Sequence, residues 1–582
     1  MRVNERGVGR GDHNIGIGHE VEAAARADPV YGRDHRLPDL VVPRGQPQFG
    51  AGRPSRLLTE RSRVFGQLDD VQAGLKRLSV AGVDDSPHVG IVVELGPCCL
   101  QLVEHDCVNG VARLGSIEDQ PADRSMALDD QSPVARHRQI VYDSHRSGSE
   151  WRCTTNADDL ILVSVDDHIC EPADMFDNHV PNRYRELAPR VVVDDRGSQQ
   201  WWYGDLKGRD LGLNAVAGKP REFFNIDACR YEDMRPGCYD VHERVRDMSA
   251  GGQLAGLNFP NWTGFSGQVL NQGPDQDVNE TMIRAYNDWH VDEWCGSYPD
   301  RFIPCGILPL FDVERAAREV RRLAAKGCHA VTFTERPQAL KMPSIHSGYW
   351  DPLFGACCDE GTVLCCHVGS SSRSVATSPD APPGVPMTLS SAMSIYSLGD
   401  LLWATFWDRF PALRFSLTEG DIGWIPYFLW RAEHVHDRHS GWTRHDFGRA
   451  GSPTQVFRDH IVCCFINDPV GVELLHRFNI HNVCWESDYP HSDGTWPNAP
   501  ELAAALLAGL TDEQVVKITH ENAMRHFRFD PFATRAKERC TAGALRLEAT
   551  DVDTVTRAGR PADDRDLEAW RVMTGGRSAS SR

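Results

Sequence analysis

Five residues of this sequence are of types that hold metal ions or move protons, and each stands at or just past the end of a short apolar run: Asp166, His168, His367, Glu419 and Asp488. The spacing Asp166-x-His168 carries a specific geometric meaning. On an extended backbone residues i and i+2 share a face, so both side chains can grip one ion while Asp167 between them points elsewhere. The same spacing recurs at His434-x-His436, but within a stretch (Trp424 to His439) that reads as helix, where i and i+2 do not share a face. That pair is discounted. His491, three residues after Asp488, is a candidate substrate contact or a surface residue. Taken singly, each of these groups also has a structural reading: a capped turn for Asp166 and His168, a satisfied core histidine for His367, a salt-bridge partner for Glu419.

The elements that must position these side chains are legible as apolar runs alternating with longer amphipathic segments, the rhythm of βα units around a parallel sheet. Eight strands are expected, at residues 160–166, 255–260, 302–309, 330–335, 362–368, 414–419, 461–466 and 482–488. Helices are expected between them, for example Val313 to Ala325 and Ser394 to Phe410. Eight such units predict an α/β fold, a (β/α)8 barrel, in which functional side chains gather at the C-terminal ends of the strands. Strands one and eight become neighbours when a barrel closes, and the fifth lies across from the first. The five residues therefore converge over one mouth. A large insertion, 171–240, holds the aromatic cluster Trp201-Trp202-Tyr203, which reads as a packed flap or a lid over that mouth.

Ordered along the chain, Asp166-Asp167-His168 with Glu171-Pro172, Cys366-His367-Val368-Gly369, Glu419-Gly420-Asp421-Ile422-Gly423-Trp424 and Trp485-Glu486-Ser487-Asp488-Tyr489-Pro490-His491 form a recognisable set. Gly-Tyr-Trp-Asp-Pro at 348–352 and Glu-Asn-Ala at 521–523 belong to the same pattern. Over about residues 158–530 the sequence resembles the amidohydrolase-related family of metal-dependent TIM-barrel enzymes, which includes aminocarboxymuconate-semialdehyde decarboxylase and the resorcylate-type decarboxylases. The resemblance implies one divalent ion, zinc or manganese, held by Asp166, His168, His367 and Asp488, with Asp488 also acting as base. Two positions depart from the pattern. Asp166 stands where some members have His, giving a harder, more oxygen-rich site. Glu419 stands where decarboxylase members place a catalytic His, and a carboxylate can take that proton-carrying role if burial raises its pKa. Binuclear members bridge their ions with a carbamylated Lys at a strand end, and no predicted strand end here carries Lys, which favours a single ion. The implied activity is hydrolysis or non-oxidative decarboxylation of a small organic acid, aromatic acids included, or of its amide or lactone. Two rivals stand beside it. His, His and carboxylate also make the facial triad of a non-haem iron oxygenase, although that triad normally sits on a jelly roll, and a barrel can bind a ligand without catalysis.

Composition narrows the partners. The 582 residues carry a formal net charge of -20, so no basic stripe is expected to meet nucleic acid. No apolar run reaches the roughly 18 residues of a membrane span, and the N-terminus lacks a signal-peptide pattern. A cytoplasmic enzyme acting on a small molecule is expected, with self-association left open. The 18 cysteines include no Cys-x-x-Cys. Adjacent pairs such as Cys365-Cys366 and Cys463-Cys464 point to opposite faces of a strand, so they are expected to be small buried hydrophobes in a reducing compartment. Residues 1–150 lack regular periodicity outside Val89 to Val103 and are expected to be a disordered extension or a mis-extended start, the alternative being a small separate domain. The enzyme domain is expected over 156–535, followed by a polar tail, 536–582.

Overall fold

A computed structural model describes residues 156–567, apart from residues 196, 213, 227–229, 274, 379 and 565, and four strands that precede them. The chain divides into two units, Met1–Asp143 and Ser144–Arg582. In the first, Leu78–Val80, Val89–Leu95, Cys99–Val108 and Val111–Ser116 pair in order as an antiparallel meander. The apolar stretch Val89 to Val103 falls on two of these strands. For the rest of residues 1–150 the expected extension lies outside the described residues.

The second unit is the expected α/β barrel. Its strands are β1 (Val163–His168), β2 (Ala255–Phe259), β3 (Phe302–Ile303 and Cys305–Gly306), β4 (Ala330–Thr334), β5 (Val363–His367), β6 (Arg414–Thr418), β7 (Ile461–Phe465) and β8 (Val483–Trp485). All pairings among them are parallel. β3 pairs with β2 through Phe302 and Ile303 and with β4 through Cys305 and Gly306, on either side of Pro304, which has no N–H to give a ladder. The seam between β8 and β1 is closed by backbone bonds, from Asp488 N–H to Asp166 O (2.8 Å) and from His168 N–H to Tyr489 O (2.7 Å). Ser487 N–H adds a bond to Ser164 Oγ at 2.9 Å.

Alternation along the strands separates two cores, as pleated geometry requires. Val363 and Cys365 point into the barrel with Val163, Val165, Val462 and Cys464. Their neighbours Leu364 and Cys366, like Cys463, face the outer helices with Phe333, Phe354 and Phe415. The adjacent cysteines are thus split between the two cores. Every described cysteine is free, and all but Cys358 are buried.

Local signals set the helices. Asp312 caps Val313–Ala324 by accepting from Glu314 N–H and Arg315 N–H at 3.0 and 3.1 Å, and Arg321 and Arg322 close its last turn. Such charges complement the helix dipole. One face of that helix, Ala316, Ala317, Val320 and Leu323, is buried. The expected helices at 394–410 and 424–439 are Ser391–Leu402 and Ile425–Thr443. No helix among the described residues is long and apolar enough to cross a membrane.

Two segments gain definition beyond the sequence reading. The insertion builds an antiparallel sheet of Arg190–Val193, Gln199–Tyr203 and Leu206–Asp210. Trp201 is fully buried there and stacks on Trp262 at 4.7 Å, so this part of the insertion is a packed flap. Residues 536–567 of the expected polar tail fold back onto the barrel, and the rest of it lies outside the described residues. Cys540 and Leu545 join the barrel core, Ala542 N–H reaches Leu160 O at 2.8 Å, and Thr556 N–H reaches Gly218 O at 2.8 Å.

Candidate metal centre

β1 does not run as a plain strand. It is expected over 160–166 but lies at Val163–His168, so Asp166 and His168 fall inside it rather than after it. Its register with β2 shifts between Ser164 and Asp167, a bulge that re-aims side chains. Ser164 Oγ holds the bulge, donating to Asp166 O (2.9 Å) and to Asp167 Oδ1 (3.1 Å). Asp167 points away from the mouth, as the spacing predicts: its Oδ2 accepts from Gln253 Nε2 at 2.7 Å and its Oδ1 from Tyr489 N–H at 3.3 Å. Burial lifts its carboxyl to about 7, although Arg244 opposes the shift.

The structure brings all six predicted residues together. His168 Nε2 lies 3.1 Å from His367 Nε2 and 3.5 Å from both Asp166 Oδ1 and Asp488 Oδ1. His367 Nε2 lies 3.4 Å from Asp166 Oδ2 and 2.9 Å from Glu419 Oε2. His491 Nδ1 is 2.8 Å from Asp488 Oδ1, and its ring stacks on that of His168 at 3.8 Å. Asp166, His168 and His367 are fully buried, whereas the Glu419 side chain keeps 23% of its exposure. Phe259 and Phe265 pack on the His367 ring, at 4.9 and 4.2 Å.

Two ligand-atom groups within this cluster lie within 4.8 Å of one another: Asp166, His168, His367 and Glu419; and His168, Glu419, Asp488 and His491. Several of these atoms lack a hydrogen-bond partner although buried: both Asp166 oxygens, Asp488 Oδ1 and His491 Nε2. Buried carboxylate oxygens without partners are costly. His367 Nδ1 donates to Val368 O at 2.6 Å, which fixes the tautomer and leaves the Nε2 lone pair facing inward. The residues fit a divalent cation. Hard oxygens and imidazole nitrogens converge there.

The electrostatics say the same. Burial, followed by the charges of Glu419 and Asp166, pushes Asp488 well above the usual carboxylate range. Burial likewise raises Asp166, with His367 opposing. Burial, then His491 and His367, holds His168 well below the usual imidazole range. Burial works against the charged form of His367 too, but Asp166 and Glu419 outweigh it and its pKa rises. Glu419 feels the same opposing effects. Burial raises it, yet the facing His367 more than compensates, and the carboxyl sits below its ordinary range.

Local backbone explains how the last two acids reach the mouth. Glu419, directly after β6, has φ 57° and Asp488, three residues past β8, has φ 55°. A left-handed conformation at a non-glycine costs about 1–3 kcal/mol and persists where the surroundings enforce it. Here Asp488 is tied down by its own N–H to Asp166 O.

Supporting residues escaped the sequence reading. Glu335 ends the fourth predicted strand, the same kind of position as Glu419, and accepts from Ser370 Oγ and Ser371 Oγ in the loop after His367. Its place was the available signal. Arg244 is fully buried, donates through Nε to Gly237 O at 2.6 Å and through a second nitrogen to His168 O, and lies over the Tyr489 ring at 4.3 Å. Nothing in the sequence distinguishes it from a surface arginine of its helix. His434 and His436 lie in Ile425–Thr443, outside the centre, as expected.

The mouth opens on a cavity of about 760 Å³, within the range of small-molecule sites. Glu419 and His491 stand at its base, and Phe224, Ile226, Phe265, Val368 and Met393 give it apolar walls. Arg373, on the loop after β5, is its only Lys or Arg among the described residues.

With the fold and this centre in view, the comparisons agree on one class. The chain belongs to the amidohydrolase family, whose family model matches residues 178–529, and it is therefore an enzyme of the hydrolase or carboxy-lyase kind that family holds. An amidohydrolase of Mycobacterium avium subsp. paratuberculosis K-10 superposes with a TM-score of 0.51 at 19% identity, over 63% of this chain and 99% of that one. 5-Carboxyvanillate decarboxylase of Sphingomonas paucimobilis gives 0.45 at 17% identity, over 64% and 100%. A 5-carboxyvanillate decarboxylase of Novosphingobium aromaticivorans, complexed with manganese and 4-hydroxy-3-methoxy-5-nitrobenzoic acid, gives 0.41 at 22% identity, over 50% and 81%. At such identities the likeness is one of fold. No curated protein matches the sequence.

Proposed function

We propose that this enzyme cleaves a bond to the carboxyl-level carbon of a small organic acid or its derivative, either by hydrolysing an amide or lactone or by non-oxidative loss of carbon dioxide. The observation that carries the reading is the convergence of Asp166, His168, His367 and Glu419, and of His168, Glu419, Asp488 and His491, beside a cavity that Glu419 and His491 line. Asp166, His168, His367 and Asp488 would hold one divalent ion, zinc or manganese. When bound, such an ion supplies Lewis acidity and can lower the pKa of a bound water from 15.7 to about 7.

The chain's own groups do the rest. In hydrolysis Asp488 takes the proton that the attacking water gives up, and His491, whose Nδ1 lies 2.8 Å away and which lines the cavity, contacts the substrate. Glu419, reaching the cavity from the opposite side of His367, carries the second proton. Its carboxylate stands 2.9 Å from His367 Nε2 and lines the cavity, where it can meet a substrate. Phe265 and Val368 exclude water from the same face. Arg373 supports an acidic substrate, since it is the one guanidinium facing the cavity and no hydrogen-bond or ion-pair partner engages it among the described residues.

The test is metal analysis of purified protein combined with a panel of aromatic carboxylic acids, amides and lactones. Release of carbon dioxide from an acid marks decarboxylation, and release of an acid from an amide or lactone marks hydrolysis. Protein that carries stoichiometric metal yet turns over neither group, or that consumes oxygen with ferrous ion, would overturn the reading.

A further inference from the structure

The family match ends at residue 529, yet the chain beyond it returns to the mouth of the cavity. Thr556 is fastened by two bonds to the insertion: its N–H donates to Gly218 O and its hydroxyl to Ala217 O, both at 2.8 Å. Gly218 has φ +73°, and a Cβ there would lie 2.7 Å from Thr554 O and 2.8 Å from Thr556 Oγ1. This seat admits only glycine. Farther on, Asn225 Nδ2 donates to Arg560 O at 3.2 Å, and Ala562 N–H reaches Glu222 O at 3.4 Å. Arg560 then grips Asp566 with two nitrogens, at 2.8 and 3.0 Å, and Asp563 N–H donates to the same carboxylate at 2.7 Å. The fold so made sets Ala562 and Leu567 against the cavity, facing the loop that carries Arg373. Leu567, one residue past the Arg560–Asp566 pair, is an apolar side chain 44% exposed.

From this arrangement we propose that Thr556–Leu567 is a specificity-determining wall of the substrate cavity, and that it selects organic acids with an extended apolar or aromatic body whose far end rests on Leu567. The inference rests on the functional reading above for the orientation of the acid, with its carboxyl group toward the centre. Short acids reach the centre without meeting the wall, and long ones do not. Arg560 bonds both Asp563 and Asp566 on this segment.

Two probes separate the centre from the wall: benzoate, and the longer biphenyl-4-carboxylate. Their affinities for the full-length protein, with and without manganese, are read by calorimetry. Leu567→Ala and Gly218→Ala are compared with the parent, the first trimming the contact and the second unseating the segment. The expected result is a weakening of biphenyl-4-carboxylate by about fivefold or more in both variants, the scale of a lost apolar contact, with benzoate within twofold. Binding of the longer acid should also slow hydrogen exchange over 556–567 in the parent. The wall is overturned if both acids keep their affinities, if both shift by the same factor, or if the parent binds neither. Binding of benzoate that ignores manganese would instead sink the functional reading while leaving a selective loss of the longer acid to stand for the wall. Should Gly218→Ala fail to fold, Leu567→Ala alone decides the matter, because its side chain is exposed and its backbone is unstrained.

Discussion

Glu419 Oε2 lies closer to His367 Nε2 than Asp166 Oδ2 does, 2.9 Å against 3.4 Å. The acid assigned to proton transfer thus stands beside a nitrogen assigned to the ion. Its role can be separated by one substitution. Glu419→Gln keeps shape and hydrogen-bonding reach but cannot ionise. Metal content should stay near that of the parent while turnover falls by about 100-fold or more, the upper part of the usual range for losing a positioned acid or base. Loss of metal, partly restored by added zinc or manganese, would make Glu419 a ligand instead. A drop in melting temperature with steady turnover per metal-loaded molecule would make it structural.

Asp488→Ala removes a ligand atom and the proton acceptor together, and it frees His491 from its partner. Turnover should fall by more than about 100-fold, with metal content reduced in parallel. Normal turnover in this variant would rule out the centre as drawn.

Chelation should lower stability as well as activity. Without a cation, the charge of Asp166 opposes ionisation of the buried Asp488, and a ligand present at about 100 times its Kd stabilises by roughly 2.7 kcal/mol. Scanning calorimetry of chelator-treated and manganese-restored protein should show a melting temperature several degrees apart. Coincident transitions would mean that the centre holds no ion.

His290 gives a test of pH dependence away from the centre. It is fully buried, accepts from Cys305 N–H at 3.3 Å, and burial pushes its pKa down to about 3. The unfolded chain takes up a proton near pH 6.5 that the native ring refuses, so stability from this site is complete above pH 6.5 and drains away as pH falls toward 3. His290→Gln keeps an acceptor and removes the titration. The stability difference between parent and variant should therefore move by about 2 kcal/mol in favour of the variant between pH 6.5 and pH 5. A difference that is flat across that window in denaturant titrations would contradict a neutral, buried His290.

A chain starting near Thr155 tests the independence of the barrel. It should retain metal and the parent's melting temperature, since each candidate ligand lies at Asp166 or beyond. Insolubility or metal loss would make the N-terminal unit an obligate part of the enzyme.

How much of this was legible in the sequence follows from the kind of signal each element leaves. All eight strands could be read because burial on both faces writes continuous apolar runs such as Ile461–Phe465. The centre could be read because its residues sit at fixed places relative to those runs. The bulge in β1 left no mark, as it depends on Ser164 Oγ bonding two residues at once. Arg244 was invisible because its burial is decided by Tyr489, more than 240 residues away. The C-terminal segment misled for the same reason: Thr556 and Arg560 look solvated until the backbone oxygen and the carboxylate that they bind are in place.

The seam between β8 and β1 gives the centre a timetable. Asp488 and Asp166 are joined backbone to backbone, yet they stand at opposite ends of the barrel sequence, and contacts of such separation carry the largest loop-closure cost. On the ribosome, a chain that has emerged only as far as β7 can present Asp166, His168 and His367, but it lacks the strand that fixes them. The full candidate ligand set therefore exists only once synthesis has passed Asp488 and the ring has shut, so an incomplete chain has no finished candidate centre.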